Sequence, residues 1–94
     1  MIEYLYNAIK ATPGESFTIC ANITDDNGEA ITDCESYFRV YKDNKELFRV
    51  PGKCGECWEY EVPAELTEGF RGTYWYCICA NGSTLQFSQP IYFV

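Results

Sequence analysis

The side chains best suited to chemistry in this 94-residue chain are its six cysteines, at positions 20, 34, 54, 57, 77 and 79. Cys54-Gly-Glu-Cys57 has the spacing of a zinc knuckle, with Gly55 as its flexible turn, and Cys77-Ile-Cys79 would complete a set of four thiolates for a closed tetrahedral site. The second half fits less well. On a regular strand, same-face neighbours have Cα atoms roughly 6.5–7 Å apart with parallel Cβ vectors, which suits neither shared metal ligation nor a Cys77–Cys79 bridge. Six cysteines allow many disulfide connectivities, of which Cys54–Cys57 closing a small loop is the simplest. A redox centre would need a thiol activated by a helix N-terminus or a cation, whereas Cys54 and Cys57 precede a strand and flank Glu56. We therefore read the cysteines as reduced thiols acting as small hydrophobes, with no cofactor. The alternative is a structural zinc held by Cys54, Cys57, Cys77 and Cys79.

Other catalytic constellations are sparse. The chain has no histidine, so triads, histidine bases and histidine metal sites are absent. Glu59 and Glu61 share a strand face, and Asp25, Asp26 and Glu29 crowd one turn, but such carboxylates ordinarily solvate a face or stabilise a turn. The turn also lacks the spaced ligands of an EF-hand loop, and no Gly-rich phosphate loop occurs. The expectation is a non-enzymatic protein.

Charge narrows the partners. Fourteen acidic against seven basic residues give a formal charge of −7, and the basic residues (Lys10, Arg39, Lys42, Lys45, Arg49, Lys53, Arg71) form no tract. Nucleic acids and anionic membranes, which are bound by neutralising phosphate, are poor partners for such a chain. The first residues lack the basic and apolar regions of a secretory signal, and the longest apolar stretch, residues 74–80, is about a third of a membrane span. Synthesis in the cytoplasm is the expectation, and the two glycosylation sequons at Asn22 and Asn81 are disregarded on that ground.

The elements that must position these groups read as strands. No helical spacing of apolar residues is sustained; alternating and aromatic-rich runs recur between Gly, Asn, Asp and Pro clusters. Strands are predicted over residues 2–10, 16–24, 36–42, 46–50, 57–62, 72–80 and 84–93. Asn81-Gly82 and Asp43-Asn44-Lys45 suit tight reversals, and Pro63 to Gly69 suits a single helical or 3₁₀ turn. The fold class expected is all-β, a seven-stranded antiparallel sandwich in one domain spanning residues 1–94.

One motif adds a resemblance. Leu66-x-x-Gly69-x-x-Gly72-x-Tyr74-x-Tyr76 resembles the corner of immunoglobulin and fibronectin type III domains in which a tyrosine hydroxyl hydrogen-bonds to backbone just upstream. The resemblance implies an Ig-like sandwich with Tyr74 as its structural tyrosine corner. Departures are Phe38 where antibody domains carry a core tryptophan, and Tyr76 where they carry the second core cysteine. The acidic domain, with its Gly-Glu-Ala-Ile-Thr-Asp, Val-Pro-Ala-Glu-Leu-Thr-Glu-Gly and Gly-Thr-Tyr-Trp-Tyr runs, also looks like small Ig-like proteins of tailed phages. That likeness implies a structural or interaction protein associated with the virion.

Strand parity then predicts a working face. With Tyr74, Tyr76, Ile78 and Ala80 inward, Trp75, Cys77 and Cys79 face out. Inward sets elsewhere are Phe17, Ile19, Ala21 and Ile23; Phe38 and Val40; Trp58, Tyr60 and Val62; and Phe87, Ile91 and Phe93, with a bulge expected near Gln89-Pro90. Cys20, Glu59 and Glu61 are left outside. The sheet containing residues 36–42, 72–80 and 84–93 would then collect Tyr37, Arg39, Tyr41, Trp75, Cys77, Cys79 and Tyr92 on its outer face, an aromatic patch suited to a protein partner or a second copy of the chain. The same aromatic side chains could stack on sugar rings, so a carbohydrate-binding module is a further alternative. A bulge that shifts the period would instead move these residues into the core.

Overall fold

The computed structural model describes the backbone of residues 2–5, 8–25, 27–81 and 83–94, and the side chains of residues 8–25, 27–81 and 88–94. Eight strands follow in chain order: β1 (Ile2–Leu5), β2 (Ala8–Ala11), β3 (Phe17–Ala21), β4 (Ser36–Lys42), β5 (Lys45–Cys54), β6 (Trp58–Val62), β7 (Gly72–Ala80) and β8 (Ser83–Phe93). The described residues hold no α-helix, and the 3₁₀ turn expected after Pro63 runs Ala64–Leu66. The fold is all-β.

The strands hydrogen-bond in the order β1-β2-β8-β7-β4-β5-β6-β3. This path curls because β5 serves two sheets: residues up to Pro51 pair with β4, while Gly52, Lys53 and Cys54 pair with β6. Pro51 and Gly52 sit at the transfer. Proline has no N–H to leave unpaired, and a Cβ on Gly52 would come within 2.6 Å of the Tyr60 ring and 2.9 Å of the Trp58 ring. Only glycine lets the backbone cross the buried aromatics that closely.

Two expectations are corrected here. The sheet is mixed, since β2 runs parallel to β8 through Ile9↔Ile91, Lys10↔Tyr92 and Ala11↔Phe93. Parallel neighbours need a long crossover connection, and here almost the whole chain between them provides it. The run over residues 2–10 is also two strands, β1 and β2, paired antiparallel.

The core lies on the inner side of this curled sheet. Its members are the inward residues Phe17, Ile19 and Ile23, Phe38 and Val40, Trp58, Tyr60 and Val62, Tyr76 and Ile78, and Ile91 and Phe93, joined by Ile9, Ala11 and Val50. Ala21 and Tyr74 pack against it from partly buried positions. Within it the buried hydroxyls Ser36 Oγ and Tyr60 Oη satisfy each other at 2.6 Å. Phe87 lies outside the described side chains. The expected irregularity in β8 occurs as two register shifts against β7, where Tyr76↔Gln89 is followed by Ile78↔Gln86 and Cys79↔Thr84. The surplus residues fall on β8, so the alternation of β7 is undisturbed.

Candidate functional site

The outer face of β4 and β7 is assembled by register alone. Tyr37 stands opposite Cys79, Arg39 opposite Cys77 and Tyr41 opposite Trp75, and directly paired residues share a side of the sheet. Tyr92 of β8 joins the same side opposite Thr73, two residues before Trp75. Trp75 is 44% exposed, while Tyr37, Arg39, Tyr41 and Tyr92 are half-buried.

Cys77 and Cys79 belong to this side but not to its surface, being only 4% and 3% exposed. They form a floor beneath the larger groups. The Cys77 thiol donates to Tyr41 Oη and the Cys79 thiol to the Tyr37 carbonyl, each at 3.8 Å. Burial pushes the Cys77 thiol up, with the Tyr41 hydroxyl partly opposing it. Neither is a free contact residue.

Three charged groups brace the face. Glu46 accepts from Arg39 Nε at 2.5 Å and from Arg49 Nη2 at 2.9 Å, and these two arginines hold its carboxyl below the usual carboxylate range. Arg39 lies over the Tyr41 ring at 5.2 Å and Arg49 over the Tyr37 ring at 5.4 Å. The aromatic rings are thus held in place rather than swinging in solvent. Beside them Tyr41, Asn44, Trp75 and Ser88 line a shallow depression of about 280 Å³. Asn44 arrives there because Asp43 and Asn44 adopt positive φ in a two-residue turn between Lys42 and Lys45, a geometry that Asn and Asp tolerate.

Tyr41 carries a pH signature. Burial first, then its contact with the Cys77 thiol, pushes its hydroxyl from 10.0 up to about 12. The folded state retains this proton after the unfolded chain has released it, so the contribution is complete below pH 10 and is lost as pH rises from 10 towards 12. Tyr41→Phe is expected to flatten the alkaline decline of stability across that window, as read by urea midpoints at stepped pH; an unchanged slope would place the decline elsewhere.

Known families, curated proteins and solved structures offer no match to this chain. Its function therefore has to be read from its own geometry.

The remaining site residues sort cleanly. Tyr74 stacks on Phe70 at 4.6 Å, meets Phe93 edge-on at 5.2 Å, and its hydroxyl accepts from the Arg71 N–H at 3.3 Å. The four cysteines considered for zinc do not converge: Cys77 and Cys79 sit on β7, whereas Cys54 and Cys57 border the β5–β6 turn. All six cysteines are free thiols. The carboxylate of Asp25 accepts the N–H groups of Asn27 at 2.9 Å and Glu29 at 3.0 Å, which makes it a turn stabiliser. Asp26 lies outside the described residues.

Sequence reasoning passed over one grouping. Cys20, Cys57 and Glu59 bring their ligand atoms within 4.8 Å of one another, and they are the one such metal-competent group among the described residues. Strand parity had already set Cys20 and Glu59 outward; the missing signal was that β3 pairs with β6.

Proposed function

We propose that the chain is a non-enzymatic Ig-like module that recognises a protein through the outer face of β4, β7 and β8. The strand neighbours favour that fold: β8-β7-β4 follows the G-F-C order of an Ig sheet, and β3-β6 with the last residues of β5 follows B-E-D. The Tyr74 hydroxyl bonded to backbone three residues upstream agrees with an Ig-type tyrosine corner. The first hairpin differs, since β2 lies beside β8 instead of joining the sheet of β3.

The observation that carries the function is Trp75, exposed opposite half-buried Tyr41 at one end of the row that continues through Arg39 to Tyr37. Trp, Tyr and Arg are the residues that dominate interface energies, and the cation–π contacts reduce the entropy lost when a partner orders them. The tailed-phage resemblance adds a virion as the setting for such a module.

Native mass spectrometry over a concentration series tests self-association, and reconstitution with a purified partner identified from the source cell tests a heterologous complex. Trp75→Ala is expected to weaken the complex by roughly ten- to thirtyfold, or about 1.4–2 kcal/mol, while the melting temperature moves little. A large loss of melting temperature with association unchanged would make Trp75 a packing residue and remove the proposal.

The depression lined by Tyr41, Asn44, Trp75 and Ser88 favours one second reading, stacking of a sugar ring with amide and hydroxyl groups at its edge. A glycan array without signal excludes it.

A further inference from the structure

The opposite side of the molecule carries chemistry that the aromatic face does not use. β3 and β6 pair antiparallel with Cys20 opposite Glu59 and Ala21 opposite Trp58, so Cys20 and Glu59 share the outer side of that sheet while Trp58 points into the core. Cys57, two residues before Glu59, brings its thiol to the same place. Cys20 and Glu59 are exposed and Cys57 is half-buried.

We propose that Cys20, Cys57 and Glu59 form a three-ligand site for a thiophilic divalent cation, zinc being the physiological candidate, with the fourth position open to solvent. The ligand atoms lie within 4.8 Å of one another. Tetrahedral zinc, with Zn–S near 2.3 Å and Zn–O near 2.1 Å, needs them roughly 3.5–3.8 Å apart. Small rotations of exposed side chains close that difference.

Two of the ligands are pre-positioned. They flank Trp58, which is 4% exposed and donates its indole N–H to the Ile31 carbonyl at 2.8 Å. The carbonyl of Cys57 accepts the Gly55 N–H at 2.9 Å, which holds the turn closed just before the strand. Lys53 stands opposite Glu59 on β5, adding a positive charge beside a ligand set that would carry one more negative charge than the cation neutralises. Thiols ligate zinc as thiolates, so loading must expel thiol protons. Affinity accordingly rises with pH.

The test uses the full chain, reduced and freed of metal, titrated with Co²⁺ alone and then displaced by Zn²⁺. One equivalent of Co²⁺ is expected to produce sulfur-to-cobalt charge-transfer absorption that Zn²⁺ abolishes. Cys20→Ser should at least halve the absorption and weaken Zn²⁺ by at least tenfold, and Glu59→Gln should weaken Zn²⁺ while leaving the sulfur band. Cys34→Ser and Trp75→Ala should change neither, which keeps this result separate from the partner-binding proposal. Cys20 and Glu59 are exposed, so both variants are expected to keep the wild-type circular dichroism. Absence of the band, its survival at full intensity in Cys20→Ser, its loss in Cys34→Ser, or a mass two daltons low from a Cys20–Cys57 disulfide in protein kept reduced would each overturn the proposal.

Discussion

Phe38→Ala is expected to lower the stability of the fold by roughly 3–5 kcal/mol, the range for truncating a fully buried aromatic side chain. Phe38 is 0% exposed at the middle of β4. Its centroid lies 5.4 Å from that of Tyr76 on the neighbouring β7 and 6.3 Å from that of Tyr60 on β6, a strand β4 does not pair with. Tyr60 cannot collapse into the vacated space, because it is tethered by its hydroxyl to Ser36 and is crowded by the Gly52 backbone. For a domain of this size the loss is about a fifth or more of the total stability and corresponds to a fall in melting temperature of more than about 10 °C. Paired urea melts of Phe38→Ala and Trp75→Ala provide the check. A cost for Trp75→Ala equal to that of Phe38→Ala would mean that the inner and outer faces of this sheet had been assigned the wrong way round.

Trp58→Ala is the second large effect, again roughly 3–5 kcal/mol, but for a mixed reason. The indole fills the core and its N–H satisfies the Ile31 carbonyl, tying β6 to the connection that precedes β4. Trp58→Phe separates the contributions, since it retains most of the ring and loses the hydrogen bond, for roughly 1–2 kcal/mol. Thermal melts of the three proteins should fall in the order wild type, Trp58→Phe, Trp58→Ala. Equal melting temperatures for wild type and Trp58→Phe would show that water readily replaces the indole N–H at Ile31.

Local signals carried a large part of the architecture. β4 and β7 occupy the predicted residues 36–42 and 72–80, because each is a β-branched and aromatic run ended by turn residues. The turn at Asp43-Asn44 and the 3₁₀ turn after Pro63 were equally legible, since each depends on the conformational preferences of a few adjacent residues. β5 was not. Pro51-Gly52 reads as a strand end, yet the strand continues to Cys54, because the pair sits where β5 leaves one neighbour for another and a Cβ would strike Tyr60. No property of Pro51 or Gly52 alone announces that Tyr60 will lie beneath them.

The aromatic face was legible as a parity pattern but not as a surface. Alternation along β7 correctly sets Trp75, Cys77 and Cys79 on the side opposite Tyr76 and Ile78, but it cannot tell how deeply each lies. Depth depends on the neighbours: Tyr37, Arg39 and Tyr41 lie alongside the two thiols, while Trp75 remains proud.

By itself, the sequence determined an acidic all-β domain, the sidedness of its strands and the residue types available to each face, because these follow from composition, period-two alternation and local turn chemistry. Tertiary structure alone decided which strands are neighbours. It set β2 parallel to β8, passed β5 from β4 to β6, and brought Cys20 to Cys57 and Glu59 in place of the Cys54–Cys57 pairing that spacing suggests. The physical reason is that strand pairing is settled by how the apolar faces of the entire chain close over one core, and no local run of residues carries that information.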